Sequence, residues 1–174
     1  MRNAFKLITV FLIVLTILSA CKKKTDNPMD FTIDAQNLTP CIEGSCLFEY
    51  VNYVAMPDQQ TALTTGQYRI FLATKSNSFS TTRIYMQAPM KGDKFLLTDA
   101  DILAGKVKHL FSCASCDYFN LTPIAGTIKG IKVANANNSG ERWLLDAHIV
   151  VAAEKSKIPL DTINIKQYFN LAVK

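Results

Sequence analysis

The chain has 174 residues, enough for one domain of about 100 to 150 residues after an N-terminal leader. Its formal net charge is +5, but five positive charges precede residue 31, and from Phe31 onward 14 Lys/Arg face 12 Asp/Glu, a net of +2. This nearly neutral region has no clustered basic stripe, which argues against nucleic acid as a partner.

The first 20 residues have the three parts of a secretory signal peptide. Arg2 and Lys6 supply the positive end, the run from Leu7 to Leu18 carries no charge, and two small residues follow it. A membrane-spanning helix is the alternative, but spanning needs about 20 apolar residues. The uncharged run from residue 7 to residue 20 has only 14. The pattern therefore predicts a signal peptide.

The sequence Leu-Ser-Ala-Cys at residues 18–21 resembles the lipobox of bacterial lipoproteins. In that family the leader is cut before the cysteine, which becomes the acylated N-terminus, so the resemblance implies lipid on Cys21. Polar residues with one proline follow, a composition typical of a flexible tether. The expected organisation is a signal peptide at 1–20, a lipidated tether at 21–30 and a single β domain at 31–174.

The lipobox leader, the polar tether and the cysteine-bearing domain together resemble the small envelope lipoproteins of Bacteroidota. Lys22 follows the lipid cysteine, where enterobacterial lipoproteins retained in the inner membrane have aspartate. The resemblance implies a lipid-anchored protein of the cell envelope, in the outer membrane, with the membrane as its partner through the anchor on Cys21.

From Phe31 onward the apolar residues recur with period two, which predicts β-strands. The C-terminal segment alternates from Ile163 to Val173 with only Gln167 breaking its apolar face, and residues 142–152 alternate in the same way. The side chains expected to face the core are Trp143, Leu145, Ala147, Ile149, Ile163, Ile165, Phe169 and Leu171. Turn-forming clusters separate shorter predicted strands at 31–37, 46–56, 67–75, 82–88, 93–98 and 125–134.

One short helix is predicted at residues 99–110. Thr98 and Asp101 have the spacing of a capping box, and apolar residues from Ile102 to Phe111 recur at helical spacing, although Gly105 opposes the helix. About eight strands, one helix and no β-α-β alternation predict an all-β fold. Its expected form is an antiparallel β-sandwich or a small barrel.

Four cysteines remain after Cys21 is assigned to lipid: Cys41, Cys46, Cys113 and Cys116. An even number in an exported chain predicts structural disulfides. Short loops favour the pairs Cys41–Cys46 and Cys113–Cys116, with crossed pairs as the rival. Two other hypotheses remain open at this point. The second pair could exchange thiols with a substrate, although Asp117 would raise the thiol pKa, and the four thiolates could hold zinc.

No other motif indicates catalysis. Asp146 and His148 share a strand face, which the polar side of an antiparallel strand explains. The aromatic residues Tyr50, Tyr53, Tyr68, Phe71, Tyr85, Tyr118, Phe119 and Tyr168 would form a binding platform if they converged outward, and otherwise belong to the core. We therefore expect a non-catalytic binding or interaction module for an envelope protein or glycan, with no metal or cofactor. The alternative is a periplasmic thiol–disulfide or other envelope enzyme that uses Cys113 and Cys116.

The lipobox gives a direct prediction for Cys21. The Cys21→Ser variant should leave the membrane fraction or keep its leader uncut, because serine offers no thiol for acylation. Fractionation and the intact mass of the membrane-extracted wild-type protein measure both outcomes. A wild-type mass that carries no lipid on residue 21 would contradict the prediction.

Overall fold

The computed structural model describes residues 29–56, 62–113, 120–134 and 140–173. The chain divides into two units, Met1–Asp30 and Phe31–Lys174. The second unit contains all the strands described here, whereas the leader and Cys21 lie outside the described residues.

Eight strands form one sheet in the order β4-β6-β7-β8-β1-β2-β3-β5. Neighbouring strands are antiparallel, except that β1 and β8 are parallel and pair at only two positions. The all-β class and the expected number of strands are confirmed. The strands are β1 (Ser45–Ala55), β2 (Thr64–Ser76), β3 (Ser80–Pro89), β4 (Lys94–Leu97), β5 (Val107–Cys113), β6 (Leu121–Val133), β7 (Arg142–Ala153) and β8 (Pro159–Leu171).

The sheet curls into a half-barrel around an aromatic core. Phe95 on β4 and Phe71 on β2 lie five strands apart in the sheet, about 24 Å if it were flat. Their ring centroids are nevertheless 5.2 Å apart, so the sheet must bend to bring them together. The centroids of Tyr50, Trp143 and Phe169 also lie 5.5 to 5.7 Å from that of Phe71, which places Phe71 at the centre of the cluster.

The core predicted from period two is largely confirmed. Six of the eight predicted side chains are buried: Trp143, Leu145, Ala147, Ile149, Ile165 and Phe169. Ile163 is partly buried against the same cluster. Leu171 is 51% exposed, so its prediction was wrong. It is the last residue of β8, beyond Phe169, where the strand leaves the core.

The predicted helix is shorter than expected and is followed by a strand. A three-residue helix, α1 (Asp99–Asp101), continues as a single π-helical turn, Ile102–Lys106, and Gly105 ends it with φ of 79°. The capping box is confirmed, because the Thr98 N–H donates to Asp101 Oδ2 at 2.9 Å. The prediction was wrong from residue 107 onward because Val107 and Phe111 also fit period two, and β5 pairs with β3 along this segment.

The predicted strand at 31–37 was wrong. Lys94 of β4 donates to the Phe31 carbonyl at 2.8 Å, and Thr39 hydrogen-bonds to Lys166 of β8. Since β4, β6, β7 and β8 are consecutive in the sheet, residues 31–39 cross the outer face of four strands. Ile33 is buried where this segment packs against the sheet. Its apolar side chain therefore belongs to a segment that covers the sheet, and not to a strand of the sheet.

Gly130 lets Phe95 pack flat against the sheet. The two residues are partners in the β4–β6 ladder, and a Cβ on Gly130 would lie 2.0 Å from Cε1 of the Phe95 ring. That ring is held between Phe71 and Trp143, so it has little freedom to move aside. A side chain at residue 130 would therefore push against the whole aromatic cluster.

The Gly130→Ala variant should lower the free energy of unfolding by about 1–3 kcal/mol, the usual range for overpacking a core. Thr127→Ala is the matched control, because Thr127 lies on the same strand with an exposed side chain. Denaturant titration of both variants measures the difference. A Gly130→Ala protein as stable as the control would contradict the proposed role of Phe95 packing.

A closed end and a candidate binding cavity

The two ends of the half-barrel differ. At the closed end, where β2 and β7 begin, the inward-facing Arg69 is only 4% exposed. Its guanidinium carbon lies 4.3 Å from the centroid of the Trp143 ring, and its Nε donates to Asn52 Oδ1 at 2.8 Å. Arg69 Nη2 also donates to Glu141 Oε1 at 3.1 Å. A cation–π contact and charged hydrogen bonds thus stabilise the buried guanidinium, whose Nη1 has no hydrogen-bond partner among the described residues.

Glu141 connects the groups of this end. Its carboxylate also accepts from Trp143 Nε1 at 2.8 Å and pairs with Lys132 Nζ at 2.9 Å, while its backbone carbonyl accepts from the Tyr50 hydroxyl at 2.9 Å. Burial alone would raise the pKa of Glu141, but hydrogen bonds from Lys132 and Trp143 and the charge of Arg69 outweigh it, so its pKa is lowered. The carboxylate is therefore held in its charged form.

Sequence reasoning missed the Arg69 cluster. The signal was one charged residue at an inward position of a strand with period two, two residues before Phe71. Nothing local to that strand points to Glu141, which lies 72 residues further along the chain. The cluster serves to close one end of the core.

The open end, where β1, β3, β6 and β8 begin, contains a cavity of about 550 Å³. Polar groups at the cavity wall include Thr82, His109 and, at exposed positions, Lys75, Asp161 and Asn164. Most of the remaining wall is apolar: Phe48, Ala73, Ile84, Phe111, Leu121, Ile163 and Ile165. The cavity also explains why Ile163 is only partly buried, although its sequence pattern resembles that of a core residue.

The cavity exists because β1 and β8 separate. They pair only at Glu49–Asn170 and Tyr50–Leu171. Before β1, the chain turns away from β8 through Glu43 and Gly44, both with positive φ. A Cβ on Gly44 would lie 2.1 Å from the Ser76 carbonyl oxygen, so the turn packs against the end of β2. β1 therefore begins too late to cover the first half of β8.

The Cys41–Cys46 disulfide closes this same turn. The Cα atoms of Cys41 and Cys46 are 5.9 Å apart and their sulfurs are bonded. This pairing agrees with the preferred prediction for the first two cysteines. Cys113 ends β5 and is disulfide-bonded as well, whereas Cys116 lies outside the described residues. The thiol–disulfide alternative for Cys113 and Cys116 stays a prediction.

His109 lies in the cavity wall on β5. Burial lowers its pKa, and a hydrogen bond with the backbone of Leu121 opposes part of that shift. The ring is therefore favoured in its neutral form. Asp161 lines the same cavity, but no hydrogen bond joins it to His109, so the two do not form an acid–base pair in this structure.

The other sequence candidates do not converge. Nδ1 of His148 is 2.8 Å from Asn164 Oδ1 on the outer face, which agrees with a polar strand face rather than a catalytic pair. Tyr50 and Phe71 belong to the core, Tyr53 is exposed, and the Tyr168 ring lies 3.9 Å beneath the Arg142 guanidinium. Tyr118 and Phe119 lie outside the described residues.

The closed end gives a prediction for Glu141. Glu141→Gln should lower the free energy of unfolding by about 2 kcal/mol, because it leaves the charge of buried Arg69 without its anion. The matched control is Asp93→Asn, because Asp93 is 81% exposed and its Oδ1 lies 3.8 Å from Lys132 Nζ. Exposed pairs contribute less than about 1 kcal/mol, so this control should stay near wild type. Equal losses in both variants would contradict the assigned role of Glu141.

The same carboxylate predicts a pH dependence of stability. Its pKa is lower in the folded state, so its contribution is complete above the ordinary value of 4.5 and is lost as the pH falls through the lower folded pKa. Denaturant titrations between about pH 3 and pH 6 should therefore show a smaller acid-induced loss for Glu141→Gln than for wild type.

The described residues contain neither a membrane-spanning helix nor a metal-binding cluster. Among the helices of the described ranges, none is long and apolar enough to cross a membrane. Within those same ranges, no group of three or more His, Cys, Asp or Glu side chains could hold a metal ion. No protein-family model, curated protein or solved structure matches this chain.

Proposed function

We propose that the protein is a non-catalytic binding module of the cell envelope, anchored to the outer membrane through Cys21, and that its ligand site is the cavity at the open end. The observation that carries the proposal is the cavity itself. Its volume of about 550 Å³ lies within the roughly 300 to 1,000 Å³ typical of ligand sites. Its wall is mainly apolar with a few polar groups, as in such sites.

The distribution of charge favours binding over catalysis. The ionisable groups of the cavity wall are Lys75, His109 and Asp161. Lys75 and Asp161 are exposed, and no hydrogen bond links either of them to His109. Catalysis by a nucleophile or a general base would need such groups within hydrogen-bond reach of one another. An apolar ligand instead gains free energy by leaving water for an apolar wall, which Phe48, Ile84 and their neighbours provide.

A neutral fluorescent probe, N-phenyl-1-naphthylamine, tests the cavity. The wild-type protein should bind it saturably with enhanced fluorescence, and Ala73→Leu should weaken binding at least tenfold by filling space at the cavity wall. Leu47→Ser is the control, because Leu47 is at the same end but 53% exposed and outside the cavity wall.

Thermal melting establishes that both variants are folded. The proposal fails if the wild-type protein shows no saturable binding, or if Ala73→Leu and Leu47→Ser bind the probe equally well.

A further inference from the structure

The free edge of β8 begins beside the cavity. β8 pairs with β7 along its length, but on its other side it pairs with β1 only at Asn170 and Leu171. One residue of the preceding segment, Thr39, also bonds to this side. Its N–H donates to the Lys166 carbonyl at 2.9 Å, and its hydroxyl accepts from the Lys166 N–H at 2.8 Å. Pro40 follows and has no N–H to continue the pairing.

These bonds show which backbone groups of β8 face the gap, the opening between β1 and the first half of β8. Both the N–H and the C=O of Lys166 point toward it, and alternate residues of a strand direct these groups to the same side. The N–H groups of Thr162, Asn164 and Tyr168 therefore face the gap as well. In the β7–β8 ladder Lys166 lies opposite Asp146, and Asn164 lies opposite His148, two residues along each strand. The backbone groups of Asn164 therefore point the same way as those of Lys166, away from β7.

Two of these three N–H groups donate hydrogen bonds to side-chain oxygens. The Thr162 N–H donates to Asp161 Oδ1 at 2.7 Å, and the Tyr168 N–H donates to Gln167 Oε1 at 3.1 Å. For the Asn164 N–H, the described residues supply no hydrogen-bond acceptor. Asn164 as a residue is exposed, and it lines the open cavity. Within the described part of the chain, no strand pairs with this edge where it borders the cavity.

The cavity lies where the side chains of an added strand would point. A strand beside β8 would direct every second side chain to the inner face, as Ile163 and Ile165 do, and the others to solvent. Residues 160–165 of β8 span about 20 Å at the usual rise per residue, which matches a partner segment of about six residues. The apolar wall would accept the inward side chains.

We propose that β8 binds an extended peptide segment with an apolar side chain at every second position, by β-strand addition along residues 160–165. The side chains of the peptide enter the cavity and its backbone pairs with the Asn164 amide. This inference rests on the proposed ligand site, and it names the ligand class. An acyl chain or another purely apolar ligand would fill the cavity but could not supply the carbonyl that the Asn164 N–H needs.

The probe for the test is a labelled eight-residue peptide of alternating valine and threonine with a lysine at each end, used on the full chain. Two further peptides carry N-methyl groups on the valines or on the threonines. The parent peptide should bind and displace N-phenyl-1-naphthylamine. The N-methyl peptide blocked on the edge that faces β8 should bind at least tenfold more weakly, because its donors to that strand are gone.

A pair of variants tests the strand itself. Asn164→Pro removes the amide that faces the gap without removing a bond to β7, and Ile163 before it is already extended, as proline requires. Asn164→Ala loses the same side-chain contact with His148 but keeps the amide. Asn164→Pro should bind the peptide at least tenfold more weakly than Asn164→Ala, and the two variants should bind the naphthylamine probe equally well.

The outcomes separate the two proposals. Probe binding without peptide binding, or peptide binding that neither N-methyl series weakens, overturns strand addition and leaves the cavity as a site for apolar small molecules. The absence of both kinds of binding overturns the proposed function as well. If Asn164→Pro does not fold, the N-methyl peptides with the wild-type protein decide the question alone.

Discussion

The contact between Phe71 and the four aromatic rings around it determines the shape of this protein. Phe95 and Phe71 come from strands at distant positions of one sheet, yet their rings stack at 5.2 Å. Burying these rings removes a large apolar area from water, and only a curled sheet allows all of them to share one interior. The half-barrel is therefore the shape that satisfies the core, and Gly130 leaves the space in which Phe95 lies.

Curling without complete closure leaves two different ends. At one end Arg69 reaches inward over Trp143 and pairs with Glu141, so a cation–π contact and an ion pair close the core. At the other end the turn before β1, closed by the Cys41–Cys46 bond, keeps the chain away from the first half of β8. Among the described residues no strand lies beside this half of β8, and this leaves both the cavity and the strand edge.

The side chains along β8 are consistent with an edge that is protected but usable. Unpaired strand edges are a hazard because they invite pairing with other chains, and proteins commonly cover them. Here Asp161 and Gln167 cover two amides with their own side chains, and Thr39 occupies a third. The Asp161 and Gln167 caps exchange more easily than a paired strand, since each accepts a single hydrogen bond from the edge. This is the reason to regard the edge as a site for a peptide rather than as a defect of the fold.

The sequence alone determined the all-β class, most strand positions, the capping box at Thr98 and the burial of most core residues, because alternation and turn chemistry are local properties. It could not place residues 107–111, because the spacing of Val107 and Phe111 fits both a helix and a strand until β3 supplies a partner. Gln167 interrupts an apolar face in the sequence, and its role is explained only by the hydrogen bond from its Nε2 to the carbonyl of Thr39, 128 residues away in sequence. The curl, the Arg69–Glu141 contact and the cavity were likewise decided by tertiary structure, because each depends on which distant strands meet around Phe71.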